Sequence, residues 1–221
     1  MVAPVSYLWW GRGDRGGGAE MSEIRAPPLV VGISGASGAI LGVRVLDACA
    51  ELGVPTHLVV SRAAALTLAL ETNLDIATVS AKATVVHRPA DVGAAIASGS
   101  FPTRGMVIAP CSVRTMSEIA TGVTSSLMTR AADVTLKERR PLVLMVRETP
   151  LHLGHLRTMT RLAEMGAVIA PPMPAFYAGL KSLAEVVDQA VGRALDILGL
   201  AWRPVQRWGL DVGPTRLAVD D

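Results

Sequence analysis

Six short apolar runs, set between longer segments of helical periodicity, constrain this chain more than any other feature. They fall at 29–33, 56–60, 83–87, 105–110, 141–146 and 167–170. The clearest of them, 29–33 (LVVGI) and 105–110 (GMVIAP), do not alternate apolar and polar residues, as a half-exposed strand would. Runs of this kind belong to a parallel sheet covered on both faces. Between them, apolar residues recur at helical spacing. Ala39, Val43, Leu46 and Ala50 make one stripe, and Leu183, Val186, Val187, Ala190, Ala194 and Leu198 make another. Helices are predicted from 39 to Gly53, over 61–71, 111–120, 126–138, 153–165 and 182–198. Residues 72–104 show no clear helix. Strands alternating with helices in this way predict a doubly wound α/β domain with a mainly parallel sheet. Right-handed crossovers then put helices on both faces.

Composition narrows the class. Half the residues are hydrophobic, which excludes a disordered chain. No uninterrupted apolar stretch reaches the ~18 residues of a membrane span. The net charge of +2 and the scattered basic residues do not point to a nucleic-acid partner. Two cysteines, Cys49 and Cys111, make neither a disulfide framework nor a zinc site, and fit a reducing cytoplasm. Residues 1–28 are Gly-rich and patternless and read as a disordered arm. Residues 29–200 form the α/β domain, and 201–221 an irregular tail.

The punctuated segments cluster at strand carboxyl ends, where folds of this type bind ligands. Gly35-Ala36-Ser37-Gly38 lies between a strand and a helix, where backbone N–H groups can face an anion. It is neither G-x-G-x-x-G nor a Walker loop, so a monophosphate or flavin suits it better than a dinucleotide or ATP. A plain glycine turn explains it equally well. Ser112-Val113-Arg114-Thr115 repeats the geometry at another strand end, with simple N-capping by Ser112 as the plainer reading. Arg130 and Lys137, seven residues apart, share a helix face beside Arg147 and could hold a second phosphate; a solvated face is the alternative. Glu148 follows a strand end and could move protons or pair with an arginine. Tyr177 ends a proline-stiffened loop, and Arg193 lies at the edge of the last apolar stripe. His152 and His155 lack the spacing and third ligand of a metal site and read as helix-start or core histidines.

Assembled, these segments resemble the flavin prenyltransferase family, the UbiX/Pad-like enzymes. The residues that carry the likeness are VGISGASGAILGVRVL (31–46), VVSRAA (59–64), LALET (68–72), MVIAPCSVRTMS (106–117), RAADVTLKERRPLVLMVRETPLHLGHL (130–156) and GAVIAPPMPAFY (166–177). The resemblance implies that 29–200 is a flavin-binding α/β domain, a Rossmann- or flavodoxin-like three-layer sandwich, in a homo-oligomer, commonly a dodecamer. It implies an enzyme that joins reduced FMN to dimethylallyl monophosphate without a metal, for use by a partner decarboxylase. By motif, Gly35, Ala36, Ser37, Ser61, Ser112, Val113, Arg114, Thr115 and Arg147 would hold FMN. Ser37 and Glu148 would assist proton movement. Glu71, the third catalytic residue the resemblance implies, would come from a neighbouring subunit's chain segment or a loop lip. Arg130, Lys137, Tyr177 and Arg193 would take the substrate phosphate. Some relatives carry a tryptophan in the segment that here reads HRPADVGAAIA (87–97), without an aromatic. Arg207-Trp208-Gly209 matches a C-terminal R-W-G of the family, so the 201–221 tail is expected to contact a neighbouring subunit and Trp208 to cover an active site.

Three other functions fit parts of the pattern. Flavin-dependent cysteine decarboxylases share the fold, but they use a histidine after the second strand and an Asn-bearing turn. Ser61-Arg62 and Pro110-Cys111-Ser112-Val113-Arg114-Thr115 stand there instead. A direct aromatic-acid decarboxylase is the second. A flavin carrier is the third, and it would not need Lys137, Glu148 and Tyr177 together.

Overall fold

The computed structural model describes residues 26–213. Six parallel strands form one sheet: β1 (Leu29–Ile33), β2 (Thr56–Val60), β3 (Val85–His87), β4 (Gly105–Cys111), β5 (Leu142–Val146) and β6 (Val168–Ile169). Their spatial order is β3-β2-β1-β4-β5-β6. The chain starts at the centre, walks to one edge, then crosses back to β4 and walks to the other edge. β1 and β4 are therefore neighbours whose onward connections leave in opposite directions, which opens a crevice beyond their carboxyl ends.

Seven helices cover the sheet: α1 (Ile40–Glu51), α2 (Arg62–Glu71), α3 (Ile76–Ser80), α4 (Val113–Thr121), α5 (Leu127–Lys137), α6 (Leu153–Glu164) and α7 (Leu183–Ile197). Side chains alternate across each strand, so one strand feeds two cores. Val31 and Ile33 of β1 pack with Leu46 of α1 and Val191 and Leu195 of α7. Val30 packs on the opposite face with Met116 of α4, Leu127 of α5 and Leu162 of α6. The three-layer sandwich expected from the periodicity is the fold observed. Among the described residues, no helix is long and apolar enough to cross a membrane.

Local differences have physical reasons. The helix expected from 111 starts at Val113, because Cys111 still pairs with Val146 of β5 and Ser112 is the N-cap. α3 lies in the segment without clear pattern; it is five residues long, and Asp75 caps it by accepting from Thr78 N–H at 2.7 Å. In the tail, Trp202 and Val205 are buried in the core of their own chain. Trp202 Nε1 donates to Glu51 at 2.5 Å, and Gln189 and Gln206 exchange two hydrogen bonds of 2.9 Å. The arm expected at 1–28 lies, up to residue 25, outside the described residues, as do residues 214–221 of the tail.

Gly42 sets how closely α1 approaches the sheet. A Cβ there would stand 2.6 Å from Ile33 Cγ1 and would press on the Ala109 carbonyl oxygen. Alanine favours a helix over glycine by about 1 kcal/mol. A clash with strand backbone and a buried isoleucine outweighs that gain, so Gly42→Ala is expected to destabilise the fold by about 1–3 kcal/mol. Urea unfolding of the variant checks this, and an unchanged or raised midpoint would show that α1 can shift.

Candidate functional site

The loops after β1, β2 and β4 converge on the crevice. Ser34, fully buried, ties two of them together: its hydroxyl donates to Pro110 O at 2.9 Å and accepts from Ser112 N–H at 2.7 Å. A cavity of about 460 Å³ opens beside them. Its walls include Gly35, Ser61, Arg62, Ser112, Arg114 and Thr115. Two helices begin on it. Ser61 caps α2 by accepting from Ala64 N–H at 3.1 Å. Ser112 caps α4 by accepting from Thr115 N–H at 3.2 Å. The backbone N–H groups of Arg62, Ala63, Val113 and Arg114 sit in these first turns and find no acceptor among the described residues. Arg114 Nε donates to Glu118 at 2.9 Å, a carboxylate that also lines this cavity. Two helix dipoles, unpaired N–H groups, the hydroxyls and the Arg62 guanidinium remain as a donor set suited to a phosphate monoester. Pro89 and Met128 supply apolar wall where the 87–97 segment lacks an aromatic.

A second cavity, of about 390 Å³, is lined by Ser37, Gly38, Glu71, Arg147 and the apolar face of α7 at Leu183, Val186 and Ala190. Glu71 reaches it from the end of α2 in the same chain, so the loop-lip alternative describes its position here. One carboxylate oxygen accepts from Gly38 N–H at 2.7 Å and from Ala39 N–H at 3.2 Å, at the start of α1. Burial pushes the Glu71 pKa up. Hydrogen bonds from Ser37, Gly38 and Ala39 and the charge of Arg147 outweigh it and hold the carboxyl below its ordinary range. Glu71 is thus an anion at neutral pH, poised between a hydroxyl and a guanidinium.

A third cavity, of about 320 Å³, adjoins the second across Ala190, which lines both. Tyr177, Gln189 and Arg193 lie on it, with Pro171, Met173 and Pro174 forming the stiff loop opposite α7. The Trp208 ring stands edge-on to Tyr177, 5.5 Å between centroids, and so brings the tail beside the rim of this cavity without lining it. Arg193 Nη1 donates to Asp196 at 3.0 Å.

Three of the expected residues lie elsewhere. Glu148 is exposed, and its carboxylate accepts from Thr149 N–H at 3.0 Å rather than meeting Ser37. Arg130 pairs with Asp133 at 2.8 Å. Lys137 pairs with Glu138. α5 begins at the crevice, where Ser126 lines the first cavity, and runs antiparallel to the strands. It spans 11 residues, about 16 Å, so Lys137 ends near the amino ends of the strands. The shared face of Arg130 and Lys137 does not turn toward Tyr177 and Arg193 of the same chain.

The remaining candidates take structural roles. His152 caps α6, its Nδ1 accepting from Gly154 and His155 N–H at 3.0 and 3.3 Å, which agrees with the helix-start reading. Cys49 and Cys111 are buried, and burial pushes both thiols up to about 12. Among the described residues, no three His, Cys, Asp or Glu side chains gather to hold a metal ion.

Sequence reasoning missed Ser34, Arg62, Pro89, Ser125, Ser126 and Met128. Arg62 and Ser34 sit inside motifs already singled out, so adjacency would have found them. Pro89 and Ser125 come from loops and Ser126 and Met128 from the start of α5, all remote in sequence from the glycine turn and without a motif that marks a site.

The Flavoprotein family model matches residues 18–195. The flavin prenyltransferase UbiX of Salmonella typhimurium is 60% identical over 169 residues, covering 76% of this chain and 89% of its own. Two solved structures superpose closely. AnUbiX (PadA1), in complex with FMN and dimethylallyl pyrophosphate, has a TM-score of 0.82 at 46% identity, covering 83% of this chain and 98% of its own. A dodecameric FMN-dependent Ubix-like decarboxylase from Escherichia coli O157:H7 has a TM-score of 0.80 at 47% identity, covering 82% and 98%.

Proposed function

This chain belongs to the flavin prenyltransferases of the Flavoprotein family, and from that premise we propose how its residues divide the work. FMN occupies the crevice. The two helix starts, with Ser61, Ser112 to Thr115 and the Gly35-Ala36-Ser37 turn, hold the flavin mononucleotide, and Arg147 completes its binding. The observation that carries this assignment is the pair of capped helix N-termini facing one cavity.

The allylic phosphate enters beside it. Tyr177 and Arg193 line the neighbouring cavity, and the apolar face of α7 between them suits a prenyl chain. Cations and hydroxyl donors at the phosphate take up the charge that develops as the carbon–oxygen bond breaks. Apolar walls keep water from the allylic carbon. To Ser37, beside Glu71, we assign the passing on of the proton that the flavin N5 loses on alkylation; Glu148, one residue beyond Arg147 and outside the cavities of this chain, would receive it once the loop meets the bound flavin.

Arg130 and Lys137 serve a site in another subunit. Within one chain α5 carries Lys137 away from the crevice, so a phosphate bound near Tyr177 meets that lysine only if a neighbouring copy presents it. A closed homo-oligomer, a dodecamer in one structural neighbour, supplies that copy. The donor is dimethylallyl monophosphate, no metal is required, and the prenylated flavin passes to a partner decarboxylase. The buried, unpaired cysteines suit a reducing compartment such as the cytoplasm.

Anaerobic incubation with reduced FMN and either dimethylallyl monophosphate or the diphosphate, followed by mass spectrometry of the released flavin, tests the reading. A gain of one C5 unit from the monophosphate, with release of inorganic phosphate, is expected. A gain only from the diphosphate would reassign the donor. FMN bound but unchanged with both would overturn the reaction.

A further inference from the structure

One carboxylate near the end of α7 holds two arginines. Asp196 Oδ2 accepts from Arg193 Nη1 at 3.0 Å, and Asp196 Oδ1 accepts from Arg207 Nη2 at 2.7 Å. Asp196 is largely buried, with 18% of its side chain exposed, whereas Arg193 is 57% exposed. The second arginine is itself anchored: Arg207 also donates to Trp202 O at 3.2 Å, and its own N–H donates to Asp211 at 2.9 Å. The next residue is Trp208, whose ring stands edge-on to Tyr177 at 5.5 Å. A closed chain of contacts thus runs from Arg193 through Asp196, Arg207 and Trp208 to Tyr177. Its two ends line the same cavity.

An exposed i, i+3 ion pair on a helix contributes little by itself. This pair differs because its acid is shared with a second cation and withdrawn from solvent. Asp196 occupies one guanidinium nitrogen of Arg193. The other N–H groups of Arg193 have no partner among the described residues and remain available to an anion. Asp196 and Asp211 together balance Arg193 and Arg207 in charge, so what the rim offers an anion is the set of unpaired Arg193 N–H groups.

We propose that Asp196 is a positioning residue for the substrate phosphate. It orients Arg193 on one side of the cavity and, through Arg207, holds the Trp208 segment against Tyr177 on the other. The proposal rests on the reading that Arg193 and Tyr177 take the allylic phosphate. It adds that one shared carboxylate ties Arg193 to the C-terminal segment at Arg207.

The test uses the full-length protein with reduced FMN and dimethylallyl monophosphate. Asp196→Asn keeps the shape and removes the charge. It is expected to raise KM for the allylic phosphate about five- to tenfold, the loss of one charge-assisted hydrogen bond, with kcat little changed. Asp196→Glu is expected to restore most of the affinity. Trypsin cleavage after Arg207 provides the readout that a merely structural role would not move. Bound dimethylallyl monophosphate is expected to slow that cleavage in the unmodified protein and in Asp196→Glu, but not in Asp196→Asn. Unchanged KM and retained protection in Asp196→Asn would overturn the proposal. If Asp196→Asn fails to bind FMN as a folded protein, Arg207→Gln, which leaves Asp196 in place, is expected to raise the same KM, and an unchanged KM there would equally overturn it. Arg193→Met separates the two readings. A rise in KM with Arg193→Met but none with Asp196→Asn defeats the positioning role alone, while no rise with Arg193→Met defeats the phosphate assignment beneath it.

Discussion

Mixed assemblies of a Lys137→Met chain and an Arg193→Met chain are expected to recover activity that neither variant shows alone. α5 starts at the crevice and ends near the amino ends of the strands, so Lys137 and Arg193 of one chain lie on different parts of the molecule. If each site takes Arg193 from its own chain and Lys137 from a neighbour, some sites of a mixed oligomer draw an intact residue from each variant. Equal random mixing makes about a quarter of the sites complete in a closed symmetric assembly. Each homogeneous variant should lose about 100-fold or more in kcat/KM, because a cation that meets the leaving phosphate acts chiefly in the transition state. Co-expression with two affinity tags, tandem purification and the prenylation assay measure the recovery. No recovery in verified mixed oligomers would mean that the two residues are needed from the same chain.

Replacing Glu148 by Gln should abolish turnover while leaving flavin binding intact. The carboxylate is exposed, its hydrogen bond is to the neighbouring Thr149 N–H, and it lines none of the three cavities, so the fold does not depend on it. Glutamine keeps the acceptor oxygen and removes the proton affinity. Loss of a positioned acid–base group typically costs about 10²–10⁴ in rate. Stopped-flow measurement of prenylated flavin formation, alongside FMN titration, separates chemistry from binding. Full activity in Glu148→Gln would remove it from proton transfer and leave the Ser37–Glu71 pair to carry that role.

Much of the fold is legible locally. The strands are short and mostly apolar; serine follows β1, β2 and β4, and a proline lies within two to four residues of the ends of β3, β5 and β6. The long helices carry apolar stripes at a spacing only a helix produces. α3, at five residues, is too short to display a period, and Cys111, apolar and compatible with either element, leaves the start of α4 two residues uncertain in sequence alone. The flavin loops were legible for a different reason. Each is a contiguous motif at a strand carboxyl end, and the topology of a doubly wound sheet brings such ends together without further information.

Other parts of the site depend on contacts between distant segments. Glu71 looks like an ordinary helix end in sequence, yet it accepts from Gly38 and Ala39, more than thirty positions earlier. Ser34 looks like a loop serine, yet it fastens the turn after β1 to the turn after β4, 76 residues away. Asp196 carries no motif in sequence, yet it accepts from Arg207 eleven positions on, beside the place where Val205 packs against Gly192. The sequence by itself determined the sheet, the two helix faces and the loops that flank the crevice, because periodicity and turn chemistry act over a few residues. The tertiary structure alone decided that Glu71 meets the start of α1, that Lys137 ends α5 beside Glu138, and that Trp208 stands against Tyr177. Those outcomes depend on the end of the sheet at which a side chain emerges, and the packing of whole elements sets that.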